Sequence, residues 1–135
     1  MVRRIWHINK AGQIYFARRL GEFGLGAGQY PLLSVLFAKE GLNQEELASY
    51  LGVDKAAVTK ALRKLEESGY VERRGDEADA RMRRSWLTAK ARRARARILA
   101  IEEDWRALLV AGLSADEEKS LEALLARLEA NCDGR

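Results

Sequence analysis

Residues 43–74 read NQEELASYLGVDKAAVTKALRKLEESGYVERR. Asn43, with Glu46 three residues on, is a variant of the capping box that starts a helix. Leu47, Ala48, Tyr50 and Leu51 supply its apolar positions. Gly52 follows where a tight turn needs positive φ. Asp54 can cap a second helix, whose Val58, Ala61, Leu62 and Leu65 face inward, and Gly69 stops it. The result is two short helices joined by a turn of a few residues. From Tyr70 the period changes. Residues 70–74 predict a strand, 75–80 a polar turn, and 84–88 a returning strand with Trp86 and Leu87 on opposite faces. This makes a hairpin with a charged tip.

Upstream, residues 3–20 predict a helix. Ile5, Ile8, Ala11 and Tyr15 recur at spacings of three and four, and Trp6 and Phe16 widen the stripe. Residues 21–28 carry four glycines and predict a loop. Pro31 suits the first turn of the next helix, which carries Leu32, Val35, Leu36 and Phe37. That helix should end near Glu40, with Gly41 at the C′ position.

Downstream, residues 89–111 predict a long helix with Ala91, Ala94, Ile98, Ile101, Trp105 and Leu108 inward. Ser114 and Glu117 form a capping box. The last helix carries Leu121, Leu124, Leu125 and Leu128, and its acidic start suits the helix dipole. The fold class is therefore mainly α with a small β-hairpin (α+β). The outer helices bear apolar stripes that a chain of this length cannot cover alone, so a homodimer is expected. Three segments follow: an N-terminal dimerisation helix and loop (1–30), a compact middle domain (31–88), and a long connecting helix with a C-terminal dimerisation helix (89–135).

The chain has 135 residues, 33% of them charged, and a formal net charge of +4. The charge is unevenly spread. Residues 43–100 hold fourteen basic and nine acidic side chains, whereas residues 101–135 hold four and nine. Residues 81–97 hold eight basic side chains and no acidic one. That field suits a polyanion. Cys132 is the single cysteine, so no internal disulfide forms, and with His7 the single histidine no Cys/His zinc site forms within the chain. Phosphate-loop and nucleophile-elbow motifs are missing, and one histidine builds no conventional triad. An enzyme and a cofactor are therefore not expected. No apolar run reaches the ~18 residues of a membrane span, and a cytoplasmic protein is the expectation.

The order Glu46-Leu47-Ala48, Leu51-Gly52-Val53, Val58-Thr59, then Leu62-Arg63-Lys64-Leu65-Glu66, resembles the MarR family of winged helix-turn-helix transcriptional regulators. So do Gly69-Tyr70-Val71, the wing motif Asp79-Ala80-Arg81, the exit Leu87-Thr88 with Lys90, and upstream Gly28-Gln29-Tyr30-Pro31-Leu32-Leu33. The resemblance spans nearly the whole chain. Ser85 stands where the family usually has an apolar residue, implying a less firmly packed second wing strand. Cys132 does not match the N-terminal cysteine of the family's peroxide-sensing branch.

A recognition helix enters the major groove of double-stranded DNA through its first turn, here Lys55, Ala56 and Ala57. Thr59, Lys60, Arg63 and Lys64 are expected on its exposed faces. Lys60 and Arg63 reach bases or phosphates, and Lys64 the backbone. The resemblance implies that Arg81 enters the minor groove, oriented by a charge-assisted hydrogen bond that its guanidinium donates to Asp79. Arg73, Arg74, Arg83 and Arg84 are expected on phosphates, giving affinity and salt dependence rather than sequence choice. The resemblance also implies a cleft for a small anionic or phenolic effector, with Trp6, His7, Tyr15 and Tyr30 as candidate lining; plain packing is the alternative for most of them. The overall expectation is a repressor, dimeric on a pseudo-palindromic operator. The competing readings are a winged-helix protein-interaction module, which the cationic helix face opposes, and an RNA binder, for which only Tyr70 and Trp86 offer stacking surfaces.

Overall fold

The computed structural model describes residues 1–79 and 81–133; Ala80 of the wing motif, Gly134 and Arg135 lie outside the described residues. The elements are α1 (Val2–Leu20), a 3-10 turn (Gly21–Phe23), α2 (Tyr30–Ala38), β1 (Leu42–Asn43), α3 (Gln44–Leu51), α4 (Lys55–Glu67), β2 (Val71–Gly75), β3 (Arg83–Leu87), α5 (Ala89–Leu109) and α6 (Ala115–Cys132). The fold is mainly helical, with one antiparallel sheet in the order β1-β3-β2. It is a winged helix-turn-helix with flanking helices. Residues 1–102 and 103–133 fall in two compact units, described separately.

The first unit contains the core. Leu20, Leu33, Leu36, Leu47, Val58, Leu62, Leu65, Tyr70, Leu87, Ile98 and Ile101 are all buried. Truncating any of the leucines to alanine costs about 2–5 kcal/mol in such surroundings. Local chemistry sets the helix boundaries. The Asn43 side chain accepts the Glu46 N–H at 2.8 Å, and the Glu46 carboxylate accepts the Asn43 N–H at 3.1 Å. Gly52, at φ 62°, turns the chain out of α3. The Asp54 carboxylate then accepts the Ala57 N–H at 2.7 Å and starts α4. Each cap contributes about 1 kcal/mol.

Two expectations are corrected around Gly41. Helix α2 ends at Ala38, and Lys39 is already extended, so Gly41 is not its C′ residue. Gly41 instead adopts φ 78° and turns the chain into β1, a strand the hydrophobic pattern did not reveal. Two residues are too few to carry a period-2 signal. Leu42 pairs with Ser85 on β3, and Ser85 also faces Arg73 on β2. β3 is thus the central strand, and Ser85 is only 1% exposed. The anticipated loose packing of this strand does not occur, because a third strand covers it.

Helix α1 buries only Gly12 and Leu20, and leaves Ile5, Trp6 and Ile8 exposed. In the second unit, Ser114 and Glu117 form the expected capping box of α6. Arg106 pairs with Glu103 at 2.7 Å and with Glu118. Leu108, expected inward, is 59% exposed, and Leu121, Leu124, Leu125 and Leu128 are also exposed within this chain.

A side chain at Gly41 would meet the Trp86 ring at 3.0 Å, on backbone already at positive φ. Gly41→Ala should therefore lower stability by about 1–3 kcal/mol. Gly28, with nothing within 4 Å and no positive φ, should accept alanine without loss. Thermal unfolding of the two variants compares them directly.

Candidate nucleic-acid interface

The amphipathic pattern of α4 fixes which side chains it presents. Val58, Leu62 and Leu65 are buried, which leaves Lys55, Ala56, Ala57, Lys60, Arg63 and Lys64 exposed. Small alanines in the first turn allow close approach to a groove, and the cations lie behind them. Thr59 departs from expectation. It is half-buried, its hydroxyl donates to the Lys55 carbonyl at 2.8 Å, and it accepts from the Gln44 amide at 2.6 Å. Thr59 thus ties α4 to the start of α3 rather than projecting from an exposed face. Gln44 was not singled out from sequence, because a polar residue after an N-cap carries no distinctive signal.

Lys55 also bonds Glu45 across the helix-turn-helix at 2.8 Å. The lysine holds the Glu45 carboxyl below its ordinary range through that bond and its charge. Both side chains are well exposed, so the pair is a weak one that a phosphate could displace.

The wing is organised by Asp76. Its carboxylate accepts the N–H groups of Ala78 (2.7 Å) and Asp79 (3.2 Å) and the Arg84 Nε–H (2.5 Å). Arg84 also donates to the Gly41 carbonyl at 2.9 Å and lies 3.8 Å from the Glu46 carboxylate. This guanidinium, expected on a phosphate, is turned inward and joins the wing to the segment before α3. Asp79, expected to hold the Arg81 side chain, accepts the Arg81 backbone N–H at 3.0 Å. It shapes the turn that carries Arg81.

Arg73 pairs with Glu66 at 3.1 Å. Arg74 pairs with Glu72 at 2.8 Å and lies over the Trp86 ring at 5.4 Å. Arg81 and Arg83 are exposed. Between the wing and the starts of α3 and α4 runs a groove of about 410 Å³, whose walls include Lys55, Arg73, Arg81 and Arg83.

The four candidate effector residues separate into two places. Tyr30 is buried, its ring centroid lies 4.7 Å from that of Phe16, and its hydroxyl donates to the Glu102 carboxylate. Burial, then Glu102, pushes the Tyr30 pKa up. Tyr15 packs edge-on against Phe16 at 6.0 Å and accepts from Arg19 at 2.7 Å. Trp6 and His7 lie together, 6.0 Å apart between ring centroids, on the exposed start of α1. Eight residues of helix, about 12 Å of rise, separate His7 from Tyr15. Glu102 was missed from sequence, since a charged residue in a helix of mixed charge shows no sign of its distant partner.

Among the described residues, no three His, Cys, Asp or Glu side chains are placed to hold a metal, and no helix is long and apolar enough to cross a membrane.

The family model for the MarR family matches residues 23–82. A solved MarR transcriptional regulator from Methanosarcina mazei Go1 is 32% identical, with a TM-score of 0.89, over 96% of this chain and 93% of that one. A mutant MarR from E. coli, crystallised with operator DNA, is 27% identical, with a TM-score of 0.83, over 93% of this chain and 91% of that one. The Bacillus subtilis (strain 168) protein YybA, an uncharacterized HTH-type transcriptional regulator, is 26% identical over 83% of this chain and 75% of its own length. The chain belongs to the MarR family of winged-helix transcriptional regulators.

The Arg84 bond and two backbone N–H groups hold the Asp76 carboxyl below its ordinary range. A depressed carboxyl contributes stability that is present at neutral pH and lost as pH falls through the depressed value. In an NMR titration, the Ala78 and Asp79 amides should therefore shift together with a midpoint below the ordinary Asp value of about 3.9. Asp76→Asn should abolish that titration. A midpoint at or above the ordinary value would contradict the role given to Asp76.

Proposed function

We propose that this chain is a sequence-specific repressor that binds a pseudo-palindromic operator as a homodimer in the cytoplasm. The observation that carries the reading is the placement of two cationic features on either side of one groove. The first turn of α4 brings Lys55, with Ala56 and Ala57 beside it, and the wing brings Arg81 and Arg83. In this reading α4 reads the major groove, and Arg81 enters the adjacent minor groove, whose negative potential attracts arginine. Lys60, Arg63, Lys64, Arg73, Arg74 and Arg83 serve bases or phosphates. Arg84 and Asp79 hold the wing in shape. The solved E. coli relative in complex with operator DNA supports this assignment.

The dimer reading rests on apolar side chains that the chain does not cover. These include Ile5, Trp6 and Ile8 on α1, and Leu124 and Leu125 on α6. The terminal segments 1–30 and 89–135 then supply the dimer contacts, and residues 31–88 the DNA-binding domain. An aromatic effector would act through the Tyr15, Phe16 and Tyr30 cluster. The Glu102 carboxylate there favours a phenol that can donate its hydroxyl over an anion. Such an effector must bind one spacing of the two DNA-binding domains better than another to release DNA.

Fluorescence anisotropy on a duplex selected by the protein from a random-sequence pool, at fixed salt, tests the reading. Arg81→Glu should weaken binding ~100-fold while sedimentation finds the oligomeric state unchanged. Glu45→Gln, which releases Lys55, should strengthen it up to about fivefold. Undiminished affinity in Arg81→Glu would remove the wing from the interface.

A further inference from the structure

Met82 lies among the wing's charged residues, between Arg81 and Arg83, and is not part of the hydrophobic core. It is 36% exposed and lines the cationic groove with Lys55 and Arg73. Its thioether sulfur accepts from the Asn43 amide and from the Arg84 guanidinium, each at 3.5 Å. Those two donors serve key places. Asn43 caps α3, and Arg84 bridges Asp76 to the Gly41 carbonyl. A thioether is a weak acceptor, so it now exerts little pull on either side chain.

We propose that Met82 is an oxidation site, and that its conversion to the sulfoxide by a hypohalous acid weakens DNA binding. The consequence for DNA rests on the function proposed above. In the reaction with hypochlorous acid, the sulfur lone pair attacks chlorine, an S–Cl bond forms, and hydroxide leaves. Water then adds to sulfur and chloride departs. The sum is thioether plus hypochlorous acid to sulfoxide, chloride and a proton. The sulfur loses two electrons, and the chlorine gains them. Both leaving groups are anions, and the groove walls that receive them carry four cations, Lys55, Arg73, Arg81 and Arg83, against two carboxylates, Glu45 and Asp79.

The product places a strong acceptor oxygen where a weak one stood. The donors that meet the sulfur, Asn43 Nδ2 and Arg84 Nη2, are not the atoms that hold the α3 cap, Asp76 or Gly41. The added oxygen re-aims these two side chains about those bonds, which shifts the wing and with it Arg81 and Arg83.

The chain has only two methionines, Met1 and Met82, which makes the chemistry easy to follow. Full-length protein carrying Cys132→Ser, which removes the exposed thiol, is treated with limiting hypochlorous acid. Peptide mass spectrometry follows each methionine, and anisotropy on the selected duplex follows affinity. Exposure alone favours Met1, at 80% against 36%. The proposal expects Met82 to gain oxygen at least as fast. Affinity should fall about tenfold, the size expected when one hydrogen bond to a charged group is redirected. Methionine sulfoxide reductases should restore it.

Met82→Leu should resist the loss from whatever baseline it sets, and Met82→Gln should bind weakly without oxidant. Oxidation confined to Met1, an equal loss in Met82→Leu, or full affinity of the Met82 sulfoxide would each overturn the proposal. If the untreated protein selects no duplex at all, the DNA-binding reading fails as well, and the two failures are thereby told apart.

Discussion

Strand β3 is gripped along both edges, and the placement of the wing that carries Arg81 and Arg83 depends on that grip. On one side β2 pairs with it over five residues, from Val71↔Leu87 to Gly75↔Arg83. On the other side the four residues Glu40, Gly41, Leu42 and Asn43 hold it. The Glu40 carboxylate accepts the Leu87 N–H at 2.8 Å, the Gly41 N–H donates to the Ser85 carbonyl at 2.8 Å, and Leu42 pairs with Ser85. Glu40 also binds Arg92 of α5 at 2.8 Å. One short segment therefore links α2, the wing and α5, and leads directly into the cap of α3. A carboxylate standing in for a strand partner satisfies a backbone donor that would otherwise be unpaired.

On this frame the cations divide by how firmly they are held. Arg84 has Asp76, the Gly41 carbonyl and Glu46 around it, and its guanidinium is held protonated by the Asp76 bond above all. Several charge-assisted bonds of this kind are not given up for one phosphate. Lys55 and Arg74 each have one exposed carboxylate partner. Exposed pairs contribute about 0.2–1 kcal/mol and are screened by salt, so a phosphate can displace them. In the proposed complex, DNA binding would be strongly salt-dependent through Lys55, Lys60, Arg63, Arg81 and Arg83.

The middle of the chain was the easiest part to read. Asn43, Gly52 and Asp54 act through bonds to residues three or four positions away, and such local chemistry is written directly in sequence. The wing strands were legible within one residue for the same reason. Strand β1 was not, because its existence depends on an edge of β3 more than forty residues later. The same distinction separates the side chains. Lys55, Lys60 and Arg63 are exposed as expected from the period of α4. Thr59 is captured by Gln44, Arg84 by Asp76 and Gly41, and Tyr30 by Glu102. Each of these needs a partner that helical or strand periodicity does not name. Apolar stripes on α1 and α6 were read correctly as stripes, and their exposure is what makes a second chain necessary in the proposed account.

In the proposed complex, two copies of one wing-and-helix unit read a symmetric operator. Selection of duplexes from a random-sequence pool by the full-length protein, followed by sequencing, tests it most directly. A symmetric dimer should enrich an inverted repeat whose half-site centres lie one helical turn, roughly 10 base pairs, apart or a multiple of that. Enrichment of a single unrepeated site, or of no sequence at all, would contradict it.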